Sequence, residues 1–459
     1  MPLSRRDWLK FLPTGAAATV ALSHTPLELL AGEPAQRTKD LTIKEIRFTP
    51  VAIPDPPILS AAGCHGPYFL RTIIEVVTTD GITGVGEGRG GDAALAELNR
   101  ASKKLIGQSA LSYRKLSGSG EESTRRAMGA IEVACLDAIG RATGMRVCEL
   151  FGGPVREEPE FASYLFYKYA ADHPALLADK RIKDDRGKGG KALDPWGEVR
   201  TPEAMAELAY QFQKKYGFRV SKLKGGVLSP DAELETLRQI AARLGKDHLL
   251  RIDPNSVWNV ETALKIGEQL KTLPLEYYED PVDGFEKMAD VRNKTGLKMA
   301  SNMFVKSFDD VGPAIKNPAG QPFDVVLIDH LDWGGIANCA ALGPVAGSMK
   351  WPLSQHSNSH CGVSMAAMIH AAALIPELTL ASDTHYPWLP DHADIIAGEK
   401  LPIANGRMKV PSGPGLGVDL DRDKLARAHE IYEKCGMGKR DDAFTMQLIE
   451  PGWKPKIVW

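Results

Sequence analysis

The sequence predicts an α/β protein built on a β/α barrel, with a smaller α+β domain preceding it. Short apolar segments recur along the middle of the chain, and each ends in a polar side chain 23 to 29 residues after the one before it. These side chains are Lys224, Asp253, Glu279, Asn302, Asp329, His356 and Asp383. A period of this length is typical of a strand–helix unit, because parallel strands need a crossover of about a dozen residues or more. The 459-residue length leaves room for a companion domain beside a barrel of about 250 residues.

The first residues resemble a twin-arginine export signal. Residues 4–10 have the sequence SRRDWLK, which places Arg5 and Arg6 before a weakly apolar stretch at 11–22. We expect segment 1–32 to direct export to the periplasm or another extracytoplasmic compartment, outside the folded domains. The alternative is a basic, disordered N-terminus.

Residues 41–154 are predicted to form the α+β domain. Three β-rich runs at 42–46, 71–77 and 82–87 come first, and the last two flank an Asp80-Gly81 turn that favours a hairpin. Helical periodicity follows at 92–106 and 124–143. The Gly-Gly-Pro sequence at 152–154 then indicates the passage into the next domain.

The barrel is predicted over residues 155–400. Its eight strands are placed at 161–167, 219–224, 249–253, 275–279, 297–302, 324–329, 351–356 and 378–383. Thr201, Ser229 and Asn259 are placed to cap helices between these strands. The stretch 179–200 has no such pattern, and we interpret it as an exposed insertion.

The composition gives no support for a nucleic-acid or membrane partner. The net charge of −2 at pH 7 gives no electrostatic reason to bind nucleic acid or an anionic membrane surface. We expect a small-molecule substrate, no membrane contact beyond export, and a homo-oligomer. The six cysteines have no metal-type spacing and are predicted to be buried apolar residues, with a disulfide left open.

Three consecutive predicted strands end in oxygen ligands. Asp253, Glu279 and Asn302 would converge at the carboxyl end of the barrel, where the active sites of such barrels lie. Two carboxylates and an amide oxygen, without sulfur or imidazole, suit Mg²⁺. Singly, each residue would more often be a capping or surface residue, but their occurrence on adjacent strands predicts a magnesium site.

Two lysines end the preceding strand. Lys222 and Lys224 alternate with Leu223, so both point toward the barrel mouth. Two neighbouring ammonium groups depress each other's proton affinity, which would allow one of them to act as a base. The alternative, a solvated lysine pair, is disfavoured by the tight Gly225-Gly226 turn that follows.

The next pair is Asp329 and His356, at the ends of strands six and seven. A carboxylate that accepts from one imidazole nitrogen leaves the other free for proton transfer. We expect this pair to face the lysines across the mouth. The remaining candidate histidines are expected to be structural or to line the rim: His360, His370, His385 and His392.

Bases on both sides of a metal site are suited to removing the weakly acidic proton next to a carboxylate, with Mg²⁺ neutralising the resulting enediolate. The motifs that carry this chemistry resemble the glucarate dehydratase subgroup of the enolase superfamily, which also includes mandelate racemase-like and muconate lactonizing enzyme-like proteins. They are KLKGGV at 222–227, IDPN at 252–255, YEDP at 278–281, SNM at 301–303 and HSN at 356–358, continued by PGLGV at 414–418, KRDD at 439–442 and PGW at 451–453.

The resemblance implies a modified TIM barrel of the (β/α)7β type, whose capping domain is completed by the C-terminal segment 401–459. It implies an acid-sugar dehydratase, a hydro-lyase, in which Lys224 with its companion Lys222 acts on one face of the substrate. His356, paired with Asp329, would act on the other face and protonate the departing β-hydroxyl. His65, Tyr164, Phe166 and Arg440 match substrate-binding positions, with Arg440 at the distal carboxylate.

The chain departs from the family pattern at two predicted substrate positions, with Ser60 in place of Asn and Gly129 in place of Thr. These changes concern specificity and leave the metal and proton chemistry intact. A racemase or epimerase could use the same bases without loss of water. A non-catalytic exported sugar-acid binder is a third alternative, but it would have no reason to retain both bases.

Overall fold

The computed structural model describes residues 39–115, 121–184, 195–455 and 459. The predicted export signal at 1–32 lies outside the described residues. Residues 40–459 form one unit that contains two β-sheet systems, a three-stranded antiparallel sheet and an eight-stranded parallel sheet. The parallel sheet is a nearly closed α/β barrel, which confirms the predicted fold class.

The N-terminal capping domain consists of the antiparallel sheet and two helices. Its strands and helices are β1 (Ile43–Pro54), β2 (Leu59–Ser60), β3 (Gly63–Cys64), β4 (Tyr68–Thr78), β5 (Thr83–Arg89), α1 (Asp92–Ser102) and α2 (Glu122–Thr143). Strands β4 and β5 pair as the predicted hairpin, and β1 pairs with the other edge of β4. Helix α2 packs across this sheet through buried residues such as Ala130, Ile131 and Ala134, so one helix face and one sheet face share a core.

The barrel strands follow in chain order. They are β6 (Phe161–Leu165), β7 (Val220–Lys224), β8 (Leu249–Asp253), β9 (Leu275–Glu279), β10 (Met299–Ser301), β11 (Val325–Ile328), β12 (Leu353–Gln355) and β13 (Ser382–Thr384). The sheet order is β12-β11-β10-β9-β8-β7-β6-β13, with parallel pairing throughout. The backbone N–H of Leu380 donates to Leu353 O at 3.2 Å, which brings the two edges of the sheet together.

Helices follow seven of the eight strands, as the (β/α)7β pattern requires. They are α4 (Pro202–Tyr216), α5 (Pro230–Leu244), α6 (Val260–Leu270), α7 (Phe285–Thr295), α8 (Phe308–Ile315), α9 (Ile336–Met349) and α10 (Gly362–Leu374), with the short α3 (Pro174–Leu177) preceding them. Thr201, Ser229 and Asn259 each accept a hydrogen bond from the first turn of the helix that follows, as predicted.

The C-terminal segment returns to the capping domain. Its helices are α11 (Arg422–Cys435) and α12 (Asp442–Ile449). Helix α11 packs on β1, where His429 Nδ1 lies 2.7 Å from Pro50 O and Cys435 joins an apolar cluster with Ala52 and Tyr68. Helix α12 packs on the β3 turn, where Thr445 Oγ1 donates to Gly66 O at 2.9 Å.

Three sequence-based expectations are refined by the structure. The last barrel strand is Ser382–Thr384, so Asp383 lies in the strand and points into the barrel instead of ending it. The described ends of the 179–200 insertion are not fully exposed, because Asp179 and Val199 are buried. All six cysteines are buried with free thiols, as expected of apolar core residues.

The described part of the chain contains no helix that combines the length and the apolar character needed to cross a bilayer.

Candidate active site

The predicted site residues meet at the carboxyl ends of the barrel strands. Lys224, Asp253 and Glu279 are the last residues of β7, β8 and β9. Asn302, Asp329 and His356 come directly after β10, β11 and β12. Because these six strands are consecutive neighbours in the sheet, their ends form one continuous arc around the barrel mouth.

Lys222 is the central cation of this arc. Its Nζ lies 2.7 Å from Glu279 Oε1, 2.7 Å from Asp383 Oδ2 and 3.7 Å from Asp253 Oδ2, and the side chain is fully buried. Burial would lower the pKa of Lys222, but Asp383, Glu279 and Asp253 outweigh it and raise this pKa well above its usual value. Lys222 therefore pairs with three carboxylates at once, those of Asp253, Glu279 and Asp383.

This finding bears on one sequence-based argument. The two lysines were expected to depress each other's proton affinity beside a metal, and the carboxylates around Lys222 act in the opposite direction on its pKa. The sequence argument considered the two ammonium groups without the acidic side chains of neighbouring strands. Lys222 is thus an anchoring cation, and Lys224 is the lysine placed at the mouth.

Lys224 is held by residues of the next strand and loop. Its Nζ donates to Asp253 Oδ2 at 2.6 Å and to the side-chain oxygen of Asn255. Asn255 adopts a left-handed backbone conformation, with φ of 59°, which turns the chain back over the strand end. The ammonium group is thereby fixed at the mouth instead of extending into solvent.

The predicted metal ligands form an acidic pocket. Glu279 is fully buried; burial raises its pKa well above the usual range, and Asp253, Asp383 and Asp280 raise it further despite the nearby Lys222. Such a concentration of buried carboxylates favours an additional cation. The oxygen-only donor set of Asp253, Glu279 and Asn302 suits a hard divalent ion.

Asn302 can serve this pocket in two orientations. With its amide nitrogen toward the carboxylates, it donates to Asp280 Oδ2 and Glu279 Oε1, each at 3.2 Å, while its oxygen accepts from His356 Nε2 at 3.2 Å. With the amide turned by 180°, its oxygen faces the two carboxylates and would serve with them as a ligand of a cation. The residues present therefore fit a bound Mg²⁺.

His356 and Asp329 form the predicted pair. His356 Nδ1 lies 3.2 Å from Asp329 Oδ2, and Asn358 Nδ2 also donates to this oxygen at 3.4 Å. Asp332 is close enough to make a third member of a metal-binding group with these two residues. However, its Oδ1 accepts from Arg126 at 2.6 Å and from Arg89 at 3.1 Å, so its charge is already matched by two cations.

Tyr164 and Phe166 form an aromatic wall beside the acidic pocket. Tyr164 donates to Asp253 Oδ2 at 3.3 Å, and Lys222 Nζ lies 4.5 Å from the centre of its ring. The ring centres of Tyr164 and Phe166 are 4.4 Å apart. His385 packs on both rings, with its ring centre 4.8 Å from that of Tyr164 and 4.9 Å from that of Phe166.

His385 is the main functional candidate that the sequence did not separate from the structural histidines. Burial, together with nearby His65 and His360, lowers the pKa of His385 well below the usual range, which favours the neutral imidazole. His360 stacks on Tyr386, as expected of a structural residue. The only available signal in the sequence was the position of His385 two residues after Asp383.

His65 and Arg440 lie farther out, where the C-terminal segment meets the capping loop. Arg440 Nε and Nη2 donate to the two oxygens of Asp442 at 2.7 and 3.0 Å, and Nη1 lies 3.3 Å from His65 Nδ1. One edge of the guanidinium is therefore used by Asp442, and Nη1 also lies 3.9 Å from Asp55 Oδ2. Arg440 lines an open cleft of about 450 Å³ together with Arg71, Arg89 and Lys439.

The two departures from the family pattern lie in different surroundings. Ser60 Oγ accepts from Ala62 N at 3.2 Å within the capping loop. Gly129, on α2, faces the loop after β11, and a methyl group there would lie 2.7 Å from Gly335 N. Gly129 therefore contributes a close contact between the domains in this protein.

Comparison with known families and proteins agrees with this geometry. Residues 204–424 match the family described as Enolase C-terminal domain-like. The chain is 39% identical over 444 residues to a probable glucarate dehydratase from Streptomyces coelicolor, an alignment that covers 91% of this chain and 98% of the relative.

Solved structures give the same result. An enolase from Thermobispora bispora, crystallised with magnesium and formate, superposes with a TM-score of 0.82 at 39% identity and covers 91% of this chain and 99% of its own. An enolase from Pseudomonas fluorescens Pf0-1 with bound magnesium, potassium and tartrate has a TM-score of 0.82 at 35% identity, covering 91% and 100%.

Proposed function

Since this chain belongs to the enolase superfamily and, within it, to the glucarate dehydratase subgroup, we propose that it is a Mg²⁺-dependent acid-sugar dehydratase, a hydro-lyase. The observation that carries the proposal is the placement of Lys224 and the His356–Asp329 pair on either side of the oxygen-ligand pocket at the barrel mouth. An acid sugar here means a polyhydroxy carboxylic acid with hydroxyl groups on the carbons α and β to its carboxylate.

Asp253, Glu279 and Asn302 would hold the metal ion. When bound, Mg²⁺ would neutralise the negative charge that develops on the substrate carboxylate as the neighbouring proton leaves. The magnesium present in the Thermobispora bispora and Pseudomonas fluorescens relatives supports this choice of ion. Lys222, already neutralised by Glu279 and Asp383, keeps two of the pocket's carboxylates in place.

The protein residues account for each proton movement. Lys224 Nζ takes the proton from the carbon α to the carboxylate, on the face that it occupies. The electron pair left on this carbon forms the Cα–Cβ double bond as the Cβ–O bond breaks. His356 Nε2–H then protonates the departing hydroxyl, which leaves as water, and the resulting enol tautomerises to a keto-deoxy acid. Asp329 keeps the imidazole in the orientation that this step needs.

The outer cleft supports a substrate with a second polar end. Arg440 lines this cleft together with Lys439, Arg71 and Arg89, and the carboxylates of Asp441 and Asp442 line it as well. Tartrate, bound in a 35%-identical relative, is a dicarboxylate with α-hydroxyl groups. These observations favour an acid sugar with carboxylates at both ends over one with a single carboxylate.

The proposal is tested by incubating the purified protein and Mg²⁺ with a library of acid sugars in deuterated water. For the true substrate, a keto-deoxy acid should accumulate in amounts equal to the substrate lost. Exchange of the α-proton across the library without any loss of water would instead identify a racemase or epimerase. Absence of both exchange and product would reject the proposed chemistry.

We also propose that residues 1–32 direct export by the twin-arginine route. The support is the SRRDWLK sequence at 4–10 followed by a weakly apolar stretch. Replacing both Arg5 and Arg6 with Lys should retain the protein in the cytoplasmic fraction, whereas the same replacement of Arg37 and Arg47 should not. Equal export of the two double variants would contradict this assignment.

A further inference from the structure

Two buried carboxylates of the capping domain hold the loops that carry the His356–Asp329 pair. We infer that Glu132 and Glu87 are positioning residues for this pair, and that the capping domain thereby sets the position of one catalytic base relative to the other. The inference rests on the proposed function for the roles of His356 and Lys224. The contacts themselves lie in parts of the fold that the predicted site did not include.

Glu132 acts on the loop after β11, which begins with Asp329. This residue lies on helix α2, is only 3% exposed, and accepts from Ala337 N through Oε1 at 2.8 Å. Ala337 is the second residue of α9, so a side chain from the capping domain satisfies a free N–H at the start of a barrel helix. The position of the 329–336 loop is therefore determined at its far end by α2.

The same loop is fitted closely to α2 along its length. A methyl group at Gly129 would lie 2.7 Å from Gly335 N and 2.9 Å from His330 O, so only glycine allows this approach. Arg125 Nε donates to Asp332 O at 3.0 Å, and Arg126 Nε donates to Asp332 Oδ1 at 2.6 Å. Contacts through backbone and side chain together leave this loop little freedom to move independently of α2.

Glu87 has the equivalent role in the loop after β12, which begins with His356. It lies on β5 of the capping sheet, is 1% exposed, and its two oxygens accept from Cys361 N and Ser364 N, each at 2.9 Å. Arg71 on the neighbouring strand donates to Glu87 at 2.7 Å and keeps the carboxylate in place. The start of α10, and with it the end of the 356–361 loop, is thus attached to the capping sheet.

The lysine side of the site is anchored in a different way. Glu233, on barrel helix α5, accepts from Gly226, Val227 and Leu228 N at 2.8 to 3.0 Å. These residues lie two to four positions after Lys224, so the barrel itself holds this loop. One base is consequently positioned within the barrel, while the other depends on contacts that cross to the capping domain.

This difference leads to a specific expectation for catalysis. A small displacement of α2 or β5 should move His356 and Asp329 while leaving Lys224 in place. Because catalysis is sensitive to shifts of about 1 Å, the reaction at the His356 face should then slow about tenfold to hundredfold. Removal of the α-proton at the Lys224 face should continue at nearly the normal rate.

The test uses Gly129→Ala, Glu132→Ala and Glu87→Gln in the full-length, Mg²⁺-loaded protein. Gly129→Ala removes no hydrogen-bonding side chain from the interface, and alanine favours a helix by about 1 kcal/mol over glycine, so any loss comes from the displaced loop. Glu132→Gln serves as the rescue variant, because its amide oxygen can still accept from Ala337 N. Glu75→Gln is the matched control: this buried carboxylate of β4 accepts from Arg422 of α11 at 2.6 Å, away from both loops.

Two readouts are compared for each variant. The first is the rate of α-proton exchange at each face, measured with the two epimers of an acid sugar in deuterated water. The second is backbone hydrogen exchange of segments 330–337, 356–364 and 225–228, followed by mass spectrometry, which does not depend on activity. Glu233→Gln provides the converse variant, which should affect segment 225–228 and the Lys224 face.

A selective loss at the His356 face in Gly129→Ala, Glu132→Ala and Glu87→Gln would support the inference. This loss should be absent in Glu75→Gln and restored in Glu132→Gln. Equal losses at both faces, or unchanged rates, would overturn it. If the wild-type protein exchanged no proton of any acid sugar, the proposed function would fail. Backbone hydrogen exchange alone would then test the inference. Faster exchange confined to segments 330–337 or 356–364 would support the positioning role of Glu132 and Glu87, and an equal change in all segments would overturn it.

Discussion

His356 Nδ1 lies 3.2 Å from Asp329 Oδ2, and this contact connects the ends of the neighbouring strands β11 and β12. Burial alone would raise the pKa of Asp329, but the hydrogen bond with His356 and the positive charges of His330 and Arg89 hold it well below its usual value. The carboxylate is therefore ionised and accepts the Nδ1 proton. Nε2 is then the atom of His356 that can exchange a proton with a substrate.

We predict that His356→Asn separates the two proposed bases. The variant should lose α-proton exchange of one epimer and about 10²- to 10⁴-fold of its dehydration rate, because the same imidazole is the proposed acid for the leaving hydroxyl. Lys224 should still exchange the opposite epimer. Proton NMR of the substrate in deuterated water measures both rates.

The complementary variant Lys224→Met should show the reverse preference between epimers. If His356→Asn exchanged both epimers at wild-type rates, the assignment of His356 to one face would be refuted.

A second prediction concerns the metal. Glu279→Gln removes one of the two charged ligands from the pocket, so Mg²⁺ affinity and dehydration should both fall, the latter by several orders of magnitude. Calorimetric titration with Mg²⁺ and the rate of keto-deoxy acid formation provide the measurements. Glu276→Gln is the control, since Glu276 lies on the same strand but pairs with Arg251. Full activity after exhaustive chelation would rule out a metal requirement.

A third prediction concerns the length and charge of the substrate. Arg440→Lys replaces the planar guanidinium with a point charge. The kcat/KM for acid sugars with two carboxylates should therefore fall about tenfold, which corresponds to the loss of one charge-assisted hydrogen bond. Substrates with one carboxylate should be affected much less. Lys439→Gln, in the same cleft, controls for the loss of local charge. An equal effect on both substrate classes would show that Arg440 does not contact the distal carboxylate.

A fourth prediction follows from the burial of Glu132. Burial raises the pKa of Glu132 from 4.5 to about 8, although the N–H groups of Ala337 and Ile336 partly oppose this shift. Between these two values the folded protein binds more protons than the unfolded chain. The free energy of unfolding should therefore decrease as pH rises through this window, by at most about 1.4 kcal/mol per pH unit from this group.

Glu132→Gln removes this titration while keeping the contact with Ala337 N. Urea denaturation of both proteins between pH 5 and 8 should show that the wild-type protein loses stability relative to the variant as pH rises. A difference in stability that is constant across this range would show that Glu132 is ionised in the folded protein. Other buried groups with raised pKa values, such as Glu233, are present in both proteins and cancel in the comparison.

Much of the active site could be predicted from the sequence because its residues end strands of one regular repeat. Once the chain forms parallel strands, their carboxyl ends must meet at one end of the barrel, so Asp253, Glu279 and Asn302 are brought together by topology alone. Capping residues such as Thr201, Ser229 and Asn259 were predictable for a similar reason, since each contacts a backbone N–H only three residues ahead.

Contacts between distant segments could not be predicted in this way. The high pKa of Lys222 depends on Asp383, which lies 161 residues later in the chain, and the two capping-domain contacts join Glu87 to Cys361 and Glu132 to Ala337 across 274 and 205 residues. The contact of His385 with the aromatic wall could not be predicted for the same reason. Tyr164 and Phe166 lie much earlier in the chain, on β6 and directly after it. Local patterns determined which side chains reach the barrel mouth. Their charge states and the way each loop is held emerged only from the packing of remote segments, because burial and neighbouring charges act through space.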